Sequence, residues 1–286
     1  MRKEKNHIFG AKLVLTSNED LVDNLLKKFK KKEIDDAFLS KIKFLPAKNF
    51  IEAREDIEKT DVFKIIKKMP KGAALHAHAT AIVSDKWIYE NIHQRLPRFF
   101  REKGYSIVDR LDIIKPLINH VRFFFHAGET GWYGLETDEN LLDAVLLNTT
   151  RVGHGYALLK HPKVLQLMKT KHIAVEVCPI SNQVLGLVED MRNHPASALF
   201  AKDFPVVISN DDPGLWGAKG LIHDFYEAFM GMMSLKAGLK ALKQLALNSF
   251  YYSSMDDLQK QKTYDVWRLR WDIFINEIID RYNLSK

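Results

Sequence analysis

The stretch FPVVISNDDPG, residues 204–214, places two adjacent aspartates shortly after an apolar run. Residues 205–208 have the length and composition of a buried strand, so Asp211 and Asp212 would lie at one end of a sheet. Pro213 and Gly214 also allow a simpler interpretation, in which the aspartates belong to a polar turn before the next helix. The rest of the chain decides between these two interpretations.

Short apolar runs alternate with helical segments from Gly72 onward. The apolar runs are residues 73–75, 121–125, 149–152, 173–177 and 205–208, and helical patterns lie between them, for example at residues 141–147 and 163–168. Short buried strands alternating with helices are typical of a parallel α/β sheet. The sequence therefore predicts about five parallel strands.

Residues 1–68 contain no strand-like run and are predicted to be helical. A helix capped near Ser17 is expected first, and further helical stretches are expected at residues 35–42 and 49–68. The C-terminal part is helical again, with apolar residues that should face the core: Trp267, Trp271, Phe274 and Ile278. We therefore predict an N-terminal helical region, residues 1–68, and an α/β domain, residues 69–286.

The composition is that of an ordinary globular chain. Its 286 residues, 46% of them hydrophobic, are enough for one large core. The net charge is +7, but no nucleic-acid-binding fingerprint accompanies the basic run at residues 27–32, so a nucleic-acid partner is not expected. No apolar run approaches the ~20 residues that span a bilayer. The first residues lack the apolar region of a signal peptide, and taken alone this predicts a cytosolic chain.

Reactive side chains follow the strand-like runs. His76 and His78 alternate after the first run, so both imidazoles would face one side of a strand and could share a metal. Later runs are followed by His126 and Glu129, by His154, and by the two aspartates. The carboxyl ends of parallel strands share one face, where the active sites of such proteins lie. Three histidines and an aspartate suit zinc, which lowers the pKa of a bound water, and Glu129 is a candidate general acid.

These motifs resemble those of the adenosine deaminase family, most closely its secreted branch of adenosine deaminase-related growth factors. The matching stretches, in the same order, are MPKGAALHAH, FFFHAGETGWYG, LNTTRVGHGYAL, VEVCPISNQVLG and VISNDDPGLWGAKGLIHDFYEAFMG. The resemblance covers most of the chain. It implies a metal-dependent-hydrolase barrel of the TIM type with one zinc ion per chain, and the hydrolytic deamination of adenosine or 2'-deoxyadenosine with release of ammonia.

The resemblance also implies a role for each residue of the site. The zinc ligands would be His76, His78, His126 and Asp211. Glu129 would protonate the purine N1, His154 would orient the attacking water and stabilise the developing charge, and Asp212 would hydrogen-bond the purine N7. The N-terminal helices would form a homodimer, and the location would be extracellular with a growth-factor-like signalling role. Cys178, the single cysteine, is interpreted as a packed thiol rather than a ligand.

Two features depart from the family pattern. Ala79 stands where the family has an aspartate beside the substrate sugar, which should weaken substrate binding without abolishing the chemistry. Only residues 79–125 separate His78 from His126, whereas three more strands with their helices would need well over about 100 residues. The predicted barrel is therefore incomplete, with about five of the eight strands that close such a fold. The gap falls between residues 87–89 and 103–106 and includes the branch's inserted receptor-binding segment.

Three explanations of this gap stay open at the level of the sequence. The chain could be a splice or gene-model fragment of an active enzyme, a truncated relative without activity, or a rearranged sheet that keeps the zinc site. The second defines an alternative function, a catalytically inactive dimeric binding protein that uses the N-terminal helices. The intact set of metal and catalytic residues favours the enzyme.

Overall fold

The computed structural model describes residues 9–39, 44–78, 81–82 and 122–284. Ala79 and the junction predicted between residues 87 and 106 lie outside the described residues. Within them, the predicted parallel α/β architecture is confirmed. One four-stranded parallel sheet has the order β1 (Phe124–Ala127), β2 (Arg151–His154), β3 (Ala174–Val177) and β4 (Val206–Ile208).

Helices precede, separate and follow these strands. They are α1 (Ser17–Leu39), α2 (Phe50–Ile57), α3 (Asp61–Lys68), α4 (Glu136–Leu146), α5 (Pro162–Thr170), α6 (Pro179–Val184), α7 (Ala196–Ala201), α8 (Leu221–Glu227), α9 (Leu239–Tyr251) and α10 (Asp257–Arg281). A π-helix, Ala228–Met232, continues α8, and short 3-10 turns occupy Leu45–Ala47, Tyr156–Lys160 and Met191–Asn193. None of the helices in the described part of the chain is long and apolar enough to cross a membrane.

The first predicted strand, residues 73–75, does not form. Its backbone groups bond to side chains instead: the Ala73 N–H donates to the Ser249 hydroxyl (2.8 Å), and the Leu75 carbonyl accepts from Arg151 (3.2 Å). Within residues 71–78, Ala77 makes a parallel bridge with Asp211 beyond the end of β4. The four strands and this fifth parallel segment form the incomplete barrel that the sequence predicts.

The N-terminal helices differ from the prediction in their boundaries. The stretch predicted at residues 35–42 is not a separate helix, because α1 continues to Leu39, and Lys31 and Lys32 pair with acids one turn later on the same surface. The stretch predicted at residues 49–68 is divided. The Thr60 side chain accepts a hydrogen bond from the Phe63 N–H and starts α3 as a new helix.

One hydrophobic core joins both ends of the chain. It includes Val22 of α1 and Phe63 of α3 together with Trp271 of α10, all at most 2% exposed. The predicted inward face of α10 is confirmed, since its four predicted apolar residues are at most 5% exposed. The Trp271 indole N–H also donates to Glu19 of α1 (2.7 Å). The predicted boundary at residue 68 thus divides side chains that share a core.

Lys30 is a fully buried charged residue that joins α1 to the π-helix. Its amine donates to the backbone carbonyls of Phe229 (2.5 Å) and Ser234 (3.0 Å), and it lies 4.1 Å from the centroid of the Phe229 ring. It therefore binds two backbone carbonyls at the end of the π-helix, of which the Ser234 carbonyl also accepts from the Ala237 N–H (2.8 Å). Burial lowers the pKa of Lys30 to about 7.

This lowered pKa predicts how stability depends on pH. An unfolded lysine keeps its proton up to about pH 10.4. Between about pH 7 and pH 10 the unfolded chain therefore binds more protons at Lys30 than the folded chain does, so this residue makes the free energy of unfolding increase with pH. We expect the free energy of unfolding of Lys30→Met to rise less between about pH 7 and pH 10 than that of the wild-type chain, with a difference of a few kcal/mol at most. Urea unfolding at several pH values measures it.

Lys31→Met is the matched control, because the Lys31 side chain is 76% exposed. It should leave the pH slope of the wild-type chain unchanged. If Lys30→Met shows the same slope as Lys31→Met, the Lys30 amine is protonated throughout this pH interval and the prediction is wrong.

Candidate metal and catalytic site

The predicted site residues meet at the carboxyl ends of the strands. His126 lies in β1, His154 is the last residue of β2, and Asp211 follows β4. Backbone hydrogen bonds hold the segment with His76 and His78 beside Asp211: the Asp211 N–H donates to the His76 carbonyl (3.2 Å), and the His78 N–H donates to the Asp211 carbonyl (3.3 Å). Each side chain is thus positioned by a regular element or by its contact with one.

Two groups of potential ligand atoms share Asp211. One atom each from His76, His126, His154 and Asp211 lie within 4.8 Å of one another, and the same holds for His78, Asp211 and Asp212. The groups also meet where the Nε2 atoms of His78 and His126 lie 3.3 Å apart. Proximity alone therefore includes His154, to which the resemblance gives another role, among the candidate ligands.

Carboxylates fix the orientation of both histidines in the His76-Ala77-His78 segment. The Nδ1 atom of His76 lies 2.7 Å from Glu176, and the Nδ1 atom of His78 lies 2.8 Å from Asp212. An imidazole whose Nδ1–H donates to a carboxylate has its Nε2 lone pair available for a metal. Both Nε2 atoms are therefore the ones available as ligands.

Two buried polar atoms at the centre of the site have only long polar contacts, of 3.2–3.3 Å, and make no hydrogen bond of normal geometry. They are the Nε2 atom of His76 and the Oδ1 atom of Asp211, which lie 3.3 Å apart. Buried polar atoms in folded proteins are nearly always satisfied, so an unsatisfied pair requires an explanation. Imidazole nitrogen with carboxylate oxygen is a ligand set that suits zinc. The residues therefore fit a divalent metal ion at this position.

The electrostatics of the site indicate an excess of negative charge. Burial lowers the pKa of His76, but hydrogen bonds to Asp211 and Glu176 outweigh it and raise this pKa to about 9. Burial raises the pKa of Asp211, but hydrogen bonds from His76 and Ser181 outweigh it and hold the pKa well below its usual range. The carboxylates of Asp211 and Glu176 thus stabilise a positive charge at His76. A divalent metal ion bound there would neutralise the same negative charge.

Glu129 lies at the edge of this cluster, on the loop after β1. Its Oε1 atom is 3.3 Å from the Nδ1 atom of His154, and its side chain is 27% exposed. Burial raises the pKa of Glu129, and it lowers the pKa of His154 to about 4. A carboxyl group whose pKa is raised and which a small molecule can reach is suited to donate a proton.

Backbone strain occurs at two of these residues. His154 (φ 62°) and Asp211 (φ 55°) both adopt the left-handed conformation, which costs a non-glycine residue about 1 kcal/mol or more. Gly153 allows the close packing beside His154, because a Cβ atom there would lie 3.0 Å from the His76 ring. The first glycine of the sequence VGHG, Gly153, is therefore explained by the approach of His76 to β2.

Arg151 and Glu176 were not identified by sequence analysis. Glu176 accepts a hydrogen bond from Arg151 Nε and contacts His76, and both charged residues are at most 4% exposed. The available signal was a charge inside an apolar strand run, RVGH for Arg151 and AVEV for Glu176. In a parallel strand that is buried on both faces, a charged residue must have a buried partner.

The short helix α6 contacts several parts of the molecule with successive residues. The Ser181 hydroxyl donates to Asp211 Oδ2 (2.7 Å), and the Asn182 amide lies 3.3 Å from His154 Nδ1. Gln183 accepts from the Phe50 N–H (2.7 Å) and donates to the carbonyls of Lys48 and Glu189. This helix therefore connects the candidate site with the segment that precedes α2.

Removing the carboxylate of Glu176 should weaken metal binding. Glu176→Gln replaces the strong acceptor of the His76 Nδ1–H, and losses of such supporting contacts reduce metal affinity by about 10–100-fold. It also leaves Arg151 without a charged partner, so the melting temperature should decrease. Titration of the metal-free chain with zinc and a thermal melt measure the two effects.

The matched control is Glu139→Gln, the same change at an exposed residue of α4. It should change neither quantity. Full zinc affinity in Glu176→Gln would show that His76 does not depend on Glu176 for its orientation.

Comparisons with known proteins agree on one family. The family model described as "Adenosine deaminase" matches residues 114–267, and "Adenosine/AMP deaminase N-terminal" matches residues 1–66. The first model alone covers more than half of the chain, so the chain belongs to the adenosine deaminase family.

Similar proteins share only part of their length with this chain. Adenosine deaminase 2 of Homo sapiens is 56% identical over 180 residues, which are 62% of this chain and 35% of that protein. Adenosine deaminase of Phlebotomus duboscqi is 45% identical over 240 residues, 80% of this chain and 46% of that protein. The chain thus spans less than half the length of these relatives. A solved N6-mAMP deaminase of Arabidopsis is similar at a TM-score of 0.46 and 20% identity, over 56% of this chain and 44% of that one.

Proposed function

We propose that this chain catalyses the zinc-dependent hydrolytic deamination of adenosine and 2'-deoxyadenosine, yielding the inosine product and ammonia. The observation that carries the proposal is the cluster of His76, His126, His154 and Asp211 ligand atoms within 4.8 Å of one another, in which the buried His76 Nε2 and Asp211 Oδ1 atoms make no hydrogen bond of normal geometry and Glu129 lies at the edge. Membership of the adenosine deaminase family supports the choice of reaction and substrate class.

One zinc ion per chain would be held by His76, His78, His126 and Asp211. The contacts of Nδ1 of His76 with Glu176 and of Nδ1 of His78 with Asp212 support this ligand set, because they leave the Nε2 atoms of both histidines available. When bound, zinc supplies the Lewis acidity that lowers the pKa of a coordinated water toward neutrality. The side chains of the chain itself then orient the purine and move the protons.

Three residues are proposed to act on the substrate. Glu129 would donate a proton to the purine N1, and its raised pKa and partial exposure support that role. His154 would orient the water that attacks C6. Asp212 would hydrogen-bond the purine N7, and its other contact is with His78. Water adds its oxygen to C6, one of its protons would restore the Glu129 acid, and the other would pass to the amino group, so that the C6–N bond breaks and ammonia leaves while N1 keeps the proton from Glu129.

The wider biology is proposed by resemblance to the same branch. An extracellular location and a growth-factor-like signalling role would follow from membership of that branch. A homodimer formed through residues 1–68, with the catalytic part in residues 69–286, is supported by the separate N-terminal family model that matches residues 1–66. Sedimentation of the purified chain tests the dimer, and a monomer at all concentrations would contradict it.

The direct test of the activity uses the purified 286-residue chain loaded with zinc. Adenosine is added, and the appearance of inosine and ammonia in equal amounts is measured. Conversion supports the proposal, because the incomplete barrel then suffices for the reaction. A folded, zinc-loaded chain without conversion contradicts it and leaves the inactive dimeric binding protein as the explanation.

A further inference from the structure

Three buried side chains form a hydrogen-bonded chain that ends at His154. They are His154 itself, Asn182 of α6 and His194, and each is at most 1% exposed. His194 Nε2 lies 3.0 Å from Asn182 Oδ1, and Asn182 Nδ2 lies 3.3 Å from His154 Nδ1. Neither Asn182 nor His194 contacts the proposed zinc ligands through these bonds. Their arrangement nevertheless determines which nitrogen of His154 carries the proton.

A backbone hydrogen bond fixes the orientation of His194, the residue of this hydrogen-bonded series farthest from the site. The Ala196 N–H donates to His194 Nδ1 (3.0 Å), so Nδ1 must be the acceptor nitrogen of that ring. Burial lowers the pKa of His194 to about 3, so the ring stays neutral and has a single proton. That proton is therefore on Nε2. The Tyr156 ring packs edge-on against His194, with ring centroids 5.1 Å apart.

The remaining steps follow from the capacity of each group to donate or accept. Because His194 Nε2–H is a donor, the group of Asn182 that faces it must be the carbonyl oxygen. The Asn182 NH2 group then faces His154 and donates to Nδ1 (3.3 Å). Glu129 Oε1 also lies 3.3 Å from this Nδ1, and in the protonated form that its proposed role requires, the Glu129 carboxyl group can likewise donate to Nδ1. A neutral His154 whose Nδ1 accepts a hydrogen bond carries its own proton on Nε2. That nitrogen lies 3.8 Å from Asp211 Oδ2 and thus faces the centre of the site.

We propose that Asn182 and His194 are positioning residues that keep the His154 proton on Nε2, so that His154 donates a hydrogen bond toward the reacting centre and is not a zinc ligand. A nitrogen that carries a proton has no lone pair for a metal. This explains how His154 can lie within 4.8 Å of His76, His126 and Asp211 and still have a separate role. The proposal rests on the proposed function only for the identity of the reacting centre.

The test is the protonation pattern of His154 in the zinc-loaded chain, observed by NMR with 15N-labelled histidine. The His154 signals are identified by their loss in His154→Gln. We expect a protonated Nε2 and an unprotonated Nδ1 in the wild-type chain. A metal-bound or unprotonated Nε2 would overturn the proposal, and this result needs no variant that folds poorly.

Two variants change the proposed contact in opposite ways. Asn182→Asp keeps an oxygen for His194 and presents a second oxygen to His154, so the His154 proton should move to Nδ1. His194→Gln keeps an N–H donor toward Asn182 and should preserve the wild-type pattern. Asn193→Asp, a matched change at an exposed neighbouring residue, should also preserve it. A wild-type pattern in a folded Asn182→Asp chain would contradict the proposal.

Kinetics separate this role from a merely structural one. In an active chain, Asn182→Asp should lower kcat by about 10–100-fold and change KM by less than about threefold, with zinc content unchanged. The two proposals can fail separately. An inactive chain with the expected proton on Nε2 rejects the deaminase activity alone, whereas an active chain with the proton on Nδ1 rejects the positioning role alone.

Discussion

Glu129→Gln should lower the rate of adenosine deamination by about 10²–10⁴-fold, the usual contribution of a positioned proton donor. Glutamine has the same shape but lacks an acidic proton for the purine N1. The zinc content should stay at that of the wild-type chain, because Glu129 lies beside His154 rather than among the proposed ligands. Inosine formation and zinc content, measured on the same sample, check both parts.

The matched control is again Glu139→Gln, which makes the same substitution at an exposed position on α4. It should deaminate adenosine at the wild-type rate. If Glu129→Gln also does so, Glu129 is not the proton donor. If Glu129→Gln loses its zinc, Glu129 contributes to metal binding and its proposed role is wrong for a different reason.

Asp211→Ala should reduce zinc affinity by more than about 100-fold, beyond the range expected for supporting contacts. Asp211 is the residue that both groups of ligand atoms share, and its buried Oδ1 atom makes no hydrogen bond of normal geometry. Alanine removes this oxygen and also the acceptor of the Ser181 hydroxyl. Zinc per chain after dialysis, measured by elemental analysis, should fall far below that of the wild-type chain, and turnover should fall with it.

Asp143→Ala, at an exposed position of α4, controls for the loss of an acidic residue. It should retain the wild-type zinc content. An Asp211→Ala chain that is folded and still holds as much zinc as the wild-type chain would exclude Asp211 as a ligand. The metal would then have to be held by the histidines alone.

The sequence predicted the sheet well because the signals for its strands are local. Each of the last four apolar runs became a strand within a few residues of its predicted place, and the reactive residues after them do meet. The run at residues 73–75 failed for a reason that its sequence does not contain. Its backbone groups bond to Ser249 and Arg151, which lie far away in the chain.

The parts of the site that sequence analysis missed depend on long-range contacts. Glu176 and Asn182 are polar residues within or next to apolar runs, and only the fold shows that they contact His76 and His154. Hydrogen-bond direction is equally hidden, because the proton on His154 follows from the Ala196 N–H through two intervening side chains. The residue types of the site were predictable, but their orientations required the packed structure.

The contacts of α6 limit which changes of chain length this region can tolerate. Ser181, Asn182 and Gln183 hold Asp211, His154 and the backbone near Phe50, and they do so in three different directions around one helix turn. Inserting or deleting one residue before Ser181 would rotate the following side chains by about 100°. All three contacts would then be lost together. Point substitutions in α6 can be compensated one at a time, whereas a one-residue insertion or deletion cannot.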